Sequence, residues 1–239
     1  MQMLMAAAAV FLAIHLIVSG TRVRDAITGR IGENAYLGLF SLASIGVIVW
    51  LAMTYNTANA ALGSDNDPVL YTTGIGLRHL ALPIVLLAFL IGVPGLLTAN
   101  PTSVRQEGAA AKEETVRGIL RVTRHPFLWG VAIWSALHLA LNGDEASVVL
   151  FGTLFVTAVL GTFSIDAKRK RKLGAAWSGF AGRTSNIPFA AILTGRNSFK
   201  AGEYFDWRFF VAILVFSAIL ISHARLFGVS PFPNGWRPF

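Results

Sequence analysis

Five histidines are the residues whose chemistry and placement most constrain the function of this chain. His15, His138 and His223 lie inside long apolar stretches, whereas His79 and His125 lie near the ends of such stretches, where water or lipid headgroups can reach them. Lipid penalises polar side chains, so an imidazole inside an apolar stretch predicts a functional site. The structural alternative is a neutral imidazole that hydrogen-bonds a neighbouring helix.

The surroundings of these histidines limit the metal centre that they could form. The chain has no cysteine, and no carboxylate lies within one helical turn of His15, His138 or His223. Two imidazoles without thiolate or carboxylate ligands favour haem over zinc, manganese or a di-iron centre. Depth along the membrane normal pairs His138 slightly better with His223 than with His15, but helix tilt leaves both pairs open.

Helical geometry separates two of the candidates. His125 and His138 point roughly 140° apart on a straight helix, at about 100° per residue, so we do not expect them to share one pocket. Trp134 precedes His138 by about one turn and shares its face. An imidazole beside a broad indole surface suits a planar macrocycle, and it equally suits ordinary helix packing.

The sequence Arg124-His125-Pro126 opens one of the apolar stretches. Proline at the first helical position costs no hydrogen bond, so Arg124 and His125 are predicted at the positive end of a helix. Two roles are open for Arg124. It either anchors the helix at the headgroups or grips an anionic group, such as a haem propionate or an acidic substrate head, through its planar fork.

The composition is that of a membrane protein. Hydrophobic residues make up 54% of the chain and charged residues 13%, against about 25% charged residues in a soluble domain. A bilayer core needs about 17–25 apolar residues per helix. We therefore predict an all-α, polytopic membrane bundle in a single domain over 1–239, with about six transmembrane helices at 3–20, 35–54, 77–98, 126–142, 146–165 and 208–227.

Basic residues predict the orientation of this bundle. The loops after the first, third and fifth stretches hold three, five and nine Lys or Arg residues, which makes 17 of the 20 in the chain. The positive-inside rule then predicts that both termini face away from the cytoplasm. The basic run 168–172 serves this orientation and attracts anionic lipid, so no nucleic-acid partner is predicted and the bilayer is the main one.

The connecting segments carry further predictions. The turn at 142–145 is short and polar, so the fourth and fifth stretches should form a helical hairpin. Segment 56–76 is polar and is predicted to be an external loop. Segment 187–193 is apolar but too short to span, which predicts an interfacial or re-entrant segment.

Three parts of the chain resemble the NnrU family of bacterial membrane proteins. They are the sequence RHPFLWG at 124–130, followed by Trp134, His138 and the Asn-Gly-Asp at 142–144; the stretch 166–189; and the tail 223–228. The resemblance implies a link to nitrite and nitric oxide metabolism. The family is also similar to zeta-carotene isomerase, an integral membrane enzyme with haem b. That similarity implies His15 and His138 as the iron ligands, and a hydrophobic polyene as the substrate.

A second resemblance is to isoprenylcysteine and phospholipid methyltransferases. Their R-H-P-x-Y-x-G motif is matched at Arg124, His125, Pro126 and Gly130, but Leu128 stands where that motif has its tyrosine. Lys and Arg also replace the later acidic pair of that family. Because of these two departures, a methyltransferase that uses S-adenosylmethionine is the alternative prediction and not the first one.

The intramembrane histidines and, above all, the resemblance imply a haem b-binding protein of the bacterial inner membrane, with both termini then periplasmic. Whether the protein is an enzyme stays open. The resemblance implies a haem-dependent polyene isomerase, and a non-enzymatic protein that handles haem, nitric oxide or electrons is the other outcome. The candidate cofactor-binding residues are His15, His138, Trp134, His125, Arg124 and His223, with His15 and His138 as metal ligands.

Overall fold

The computed structural model describes residues 1–232, so Arg237 and the predicted periplasmic C-terminus lie outside the described residues. Most of the described chain is helical, and no strand forms in it beyond isolated bridges. The α-helices are, in chain order, α1 (Gln2–Leu12), α2 (Arg22–Ile31), α3 (Glu33–Asn59), α4 (Ile75–His79), α5 (Ala81–Leu96), α6 (Ile119–Val122), α7 (Pro126–Leu141), α8 (Glu145–Leu173), α9 (Ala175–Arg183), α10 (Ala190–Leu193), α11 (Ala201–Tyr204) and α12 (Trp207–Phe227). A π-helix (Ala13–Val18) continues α1, and short 3-10 helices (Glu107–Ala111 and Glu113–Thr115) precede α6.

Each predicted apolar stretch overlaps one of the helices α1, α3, α5, α7, α8 and α12, which confirms the all-α membrane fold. Among the described residues α3, α8 and α12 are long and apolar enough to cross a bilayer, and α1 with its π-helix qualifies together with α2, across a bend of 78°. The apolar helices α5 and α7 have 16 residues each. At about 1.5 Å per residue they are shorter than the hydrocarbon core, which is about 30 Å thick.

Two basic segments that were predicted as loops are helical instead. Helix α2 forms because Thr21 caps it, accepting a hydrogen bond from the Val23 N–H at 3.2 Å, and because Asp25 and Arg30 lie at its favourable ends. Helix α8 runs past its predicted end at residue 165 to Leu173. Its last turn holds basic side chains, which the negative end of a helix dipole stabilises.

The chain folds into two compact units that interleave along the sequence. Among the described residues, the first unit comprises Met1–Thr73 and His138–Lys168, and the second comprises Gly74–Leu137 and residues 169–232. Helix α7 ends at Leu141 and α8 begins at Glu145, so only three residues join them at the polar turn that the sequence predicted.

The core of the first unit forms where α1, α3 and the start of α8 meet. Small residues on all three helices let their backbones approach closely, as is usual where helices pack in a membrane. The buried side chains of this core are Leu4, Ala7, Ala8, Phe11, Leu51, Ala58 and Ala146.

The second unit is organised around α5, which packs against α12 and α7. Gly130 of α7 lies against Gly92 of α5, and a Cβ at residue 130 would come within 2.7 Å of the Gly92 Cα atom. Glycine at residue 130 is therefore required for this close approach, which gives a packing reason for the last residue of the 124–130 motif.

Candidate functional site

His15 lies in the π-helix of the first unit, and its ring is fixed on three sides. Its Nδ1 atom is 2.8 Å from the carbonyl oxygen of Phe11, and because a carbonyl can only accept, Nδ1 carries the proton. The imidazole stacks on the Phe11 ring at 4.2 Å between centroids and meets the edge of Phe40 at 5.6 Å. This arrangement leaves the Nε2 lone pair for a ligand bond. A histidine that ligates a metal usually donates its other ring N–H to a carbonyl or carboxylate oxygen in this way.

The π-helix itself was not foreseen from the sequence, which predicted one regular helix over 3–20. Its wide turn is closed by the Ser19 N–H, which donates to the Ile14 carbonyl at 3.0 Å. A π-helical turn inside an α-helix is rare, and it is frequently found at a functional site. The one signal in the sequence that could have indicated the surroundings of His15 is Phe11, which lies four residues earlier on the same helical face.

His138 lies near the end of α7, in the first unit with His15, and is half-buried. Its ring centroid is 5.0 Å from that of Phe151 on α8, and Phe151 also contacts Tyr55 of α3 at 6.4 Å. Phe151 therefore covers one side of this histidine and is itself backed by Tyr55. Nothing in the sequence pattern marked Phe151, because its contact with His138 depends on how α7 and α8 pack.

The end of α7 is capped by segment 67–73, which we call the strap. Helix C-termini leave carbonyl groups without intrahelical partners. Donors of the strap satisfy them: the Tyr71 and Thr73 hydroxyls and the Leu70 N–H bond to main-chain oxygens of Leu139, Ala140, Asn142 and Gly143. Burial raises the pKa of Tyr71, so its hydroxyl remains a donor at neutral pH. The strap thereby fixes the helical turn that carries His138.

The strap is also tied to the start of α8. Asp67 is fully buried and accepts the Ala146 N–H at 2.9 Å. Asp144 accepts the Ser147 N–H at 2.8 Å, as an N-cap does. Gly143 lies beneath the strap, where a Cβ would overlap the carbonyl oxygen of Tyr71. The sequence showed the polar segment 56–76 and the turn 142–145 separately, and their pairing is what the structure adds.

Arg124 lies in the second unit and is held by the loop after α9. Its N–H donates to the Ser185 carbonyl at 2.9 Å, and its guanidinium stands 5.7 Å from the centre of the Trp177 ring. The Arg124 carbonyl accepts from the Asn100 side chain at 3.0 Å. Through these contacts Arg124 joins the turn before α7 to the loop after α9 and to Trp177, all within the second unit.

His125 is only 2% exposed, so the prediction that water or headgroups reach it was wrong. Thr123, two residues earlier, is also fully buried, and its hydroxyl donates to the Asn186 carbonyl. This bond holds the loop after α9 over the turn, and His125 is enclosed as a result. The Thr123 oxygen also accepts the N–H of His125 at 3.2 Å.

The remaining candidates, Trp134 and His223, also lie in the second unit. Trp134 lines a shallow apolar groove of about 190 Å³ between α5 and α7, together with Phe89 and Phe127. The Nδ1 atom of His223 is 2.9 Å from the Val229 carbonyl oxygen. Of the predicted histidines inside apolar stretches, the structure therefore places His15 and His138 in one unit and His223 in the other.

Comparisons with known proteins identify one family and two partial relatives. The family model described as "NnrU protein" matches residues 3–231. The maize (Zea mays) protein named "15-cis-zeta-carotene isomerase, chloroplastic" is 35% identical over 79 residues, which are 33% of this chain and 22% of the relative. Its namesake in Arabidopsis thaliana is 31% identical over 87 residues, which are 36% of this chain and 24% of the relative. The chain thus spans less than a quarter of either relative. No solved structure matches.

Proposed function

Because the chain belongs to the NnrU family, we propose that it is a haem b-binding membrane protein that isomerises a double bond of a hydrophobic polyene. One observation carries the proposal: His15 has its Nδ1–H engaged by the Phe11 carbonyl, which leaves Nε2 for iron, in the same unit as His138. The partial similarity to two proteins named 15-cis-zeta-carotene isomerase supports a polyene as the substrate.

The residues of the first unit fit a haem group. His15 and His138 would ligate the iron, and the Phe11 carbonyl would keep the His15 ring oriented and basic. The rings of Phe40 and Phe151 contact these two histidines and would give a bound macrocycle apolar neighbours. When bound, a ferrous haem would supply electron density to a conjugated double bond and so lower its barrier to rotation.

The strap contributes by holding His138 in place. Tyr71 and Thr73 bond the carbonyl groups of the turn that carries this histidine, so its ring position is set by a capped helix end. Rigid support of this kind is what a ligand needs to keep its geometry.

The first test is the absorption spectrum of the full chain, purified in detergent from cells supplied with haem. We expect split low-spin bands in the reduced protein, and their loss or conversion to a high-spin form in His15→Ala and in His138→Ala. His79→Ala is the control and should leave the bands unchanged. Wild-type protein without haem would contradict the proposal. Loss of the bands in His223→Ala but not in His15→Ala would move the ligand role to His223.

The second test concerns turnover. Reduced wild-type protein is incubated with 15-cis-zeta-carotene, and the isomers are separated by chromatography. We expect conversion that depends on His15 and His138. Haem binding without any turnover of a cis-polyene would replace the isomerase by a haem protein that handles electrons or nitric oxide.

A further inference from the structure

A cavity of about 310 Å³ opens in the second unit, where α5 ends and α12 begins. It is formed by three segments that are far apart in the sequence, namely the end of α5, the 3-10 segment before α6, and the junction of α11 with α12. The wall residues that matter below are Lys112, Glu114, Arg117, Glu203, Asp206 and Arg208.

The contacts of α5 and α12 place this cavity at the depth of lipid headgroups. Helix α12 is long and apolar enough to span the bilayer, and its first residue, Trp207, is 56% exposed. The side chain of Arg208 donates to the carbonyl of Leu97, just past the end of α5, at 3.1 Å. Both apolar helices therefore end at the cavity. An exposed tryptophan such as Trp207 is typical of the membrane interface.

Two of the three carboxylates in the wall are already neutralised. Arg121 bonds both oxygens of Glu203, at 2.7 and 3.1 Å, and this hydrogen bond is the main reason that the pKa of Glu203 falls to about 2. Asp206 accepts the Arg208 N–H at 2.9 Å and also pairs with its guanidinium. Neither carboxylate is left to balance a further cation.

The other charged groups leave an excess of positive charge. Within residues 1–232, Lys112 and Arg117 form no ion pair, and both are exposed at the cavity. Glu114 is the one carboxylate of the wall that has no ion pair among the described residues. Two cations against one carboxylate favour an anionic group. Basic pockets at the ends of membrane helices bind lipid headgroups in this way.

From this arrangement we propose that the cavity binds the headgroup of a membrane glycerophospholipid. Lys112 and Arg117 hold its phosphate, and its acyl chains run along the exposed apolar surface beside the cavity, which includes Leu96 and Phe205. This site does not depend on haem and lies within the second unit alone.

The test measures the phospholipid that stays with the full chain after detergent purification, by native mass spectrometry and phosphorus analysis. Each basic residue near a lipid surface strengthens binding several-fold, so the double variant Lys112→Ala/Arg117→Ala should retain about tenfold less lipid. The matched control is Arg78→Ala/Arg225→Ala, which removes two exposed basic residues that lie outside both the cavity and the basic run 168–172. The control should retain lipid like the wild type.

Three further results decide the proposal. Ala99→Phe fills the cavity without changing its charge and should also lose lipid, which keeps the test valid if the double variant does not fold. Equal loss in the double variant and the control would overturn the proposal in favour of general surface attraction. Soluble glycerophosphate should not displace the lipid. If it does so as effectively as a phospholipid, the occupant is a soluble phosphate compound and the lipid assignment is wrong.

Discussion

At the scale of single residues, the structure most changes the interpretation of Arg124. The sequence predicted Arg124 either as a headgroup anchor or as a grip for a carboxylate. In the structure its guanidinium faces the Trp177 ring, and its Nη1 atom is 3.4 Å from the Thr184 carbonyl oxygen. A planar guanidinium stacks on an aromatic ring better than a lysine ammonium does.

Arg124→Lys should therefore lower stability by about 1 kcal/mol, the usual strength of a cation–π contact. Unfolding in a denaturing detergent, compared with Trp177→Leu and with the double variant, measures the coupling of the two side chains. We expect haem occupancy to stay unchanged. Loss of haem without loss of stability would instead support the carboxylate grip.

Glu203 gives a prediction about pH. Its pKa falls from the usual 4.5 to about 2, chiefly because Arg121 bonds its carboxylate. A carboxyl group whose pKa is lowered by folding stabilises the protein above its unfolded value, and this contribution disappears as pH falls through the folded value. Glu203→Gln should therefore be less stable than the wild type at pH 7, and the difference should shrink between pH 4.5 and 2. A gap that is independent of pH would contradict the ion-pair origin.

At the scale of elements, the strap offers the sharpest test. Gly143→Ala would force a Cβ into the Tyr71 carbonyl, so the strap must move away from the end of α7. Overpacking of this kind costs about 1–3 kcal/mol. Gly152→Ala in α8 is the control, because nothing lies within 4 Å of a Cβ there and alanine favours a helix. Denaturation curves that are equal for the two variants would show that the strap does not hold α7.

The same elements show what a sequence can predict here. Apolar length located α3, α8 and α12, and the polar turn at 142–145 located the end of α7 and the start of α8, because each of these depends on neighbouring residues alone. The capping of α2 by Thr21 was also local, but the density of charge there led us to expect a loop. The strap depends on Asp67 and Tyr71 meeting residues far along the chain, which no local pattern encodes.

The candidate site divides in the same way. His15 and His138 could be chosen from the sequence because an imidazole inside an apolar stretch is costly. The π-helix around His15 and the approach of Phe151 to His138 could not be foreseen, since both follow from helix packing. The burial of His125 was missed for a related reason, because the loop that covers it lies after α9.

At the scale of the whole molecule, the asymmetry of charge predicts the topology. Of the 20 basic residues, 17 lie in three loops that should share one side of the membrane, and α2 and the end of α8 carry part of them as helices. Helices do not change the rule, because Lys and Arg near the ends of spans set orientation whatever their local structure. By contrast, segment 56–76, which includes the strap, contains Asp65 and Asp67 and no basic residue.

Reporter fusions test this topology at both sides of the chain. Alkaline phosphatase is active only in the periplasm, so fusions at Asp65, beside the strap, and at Phe239 should be active. Fusions at Arg105 and Gly174 should be inactive, and a fluorescent protein that folds only in the cytoplasm should show the reverse at all four positions. Replacing the five basic residues 168–172 by neutral ones should weaken the contrast at Gly174, because that run supplies over half of the basic residues in its loop. Equal phosphatase activity at Asp65 and Gly174 in the unaltered chain would contradict a crossing of the membrane between them.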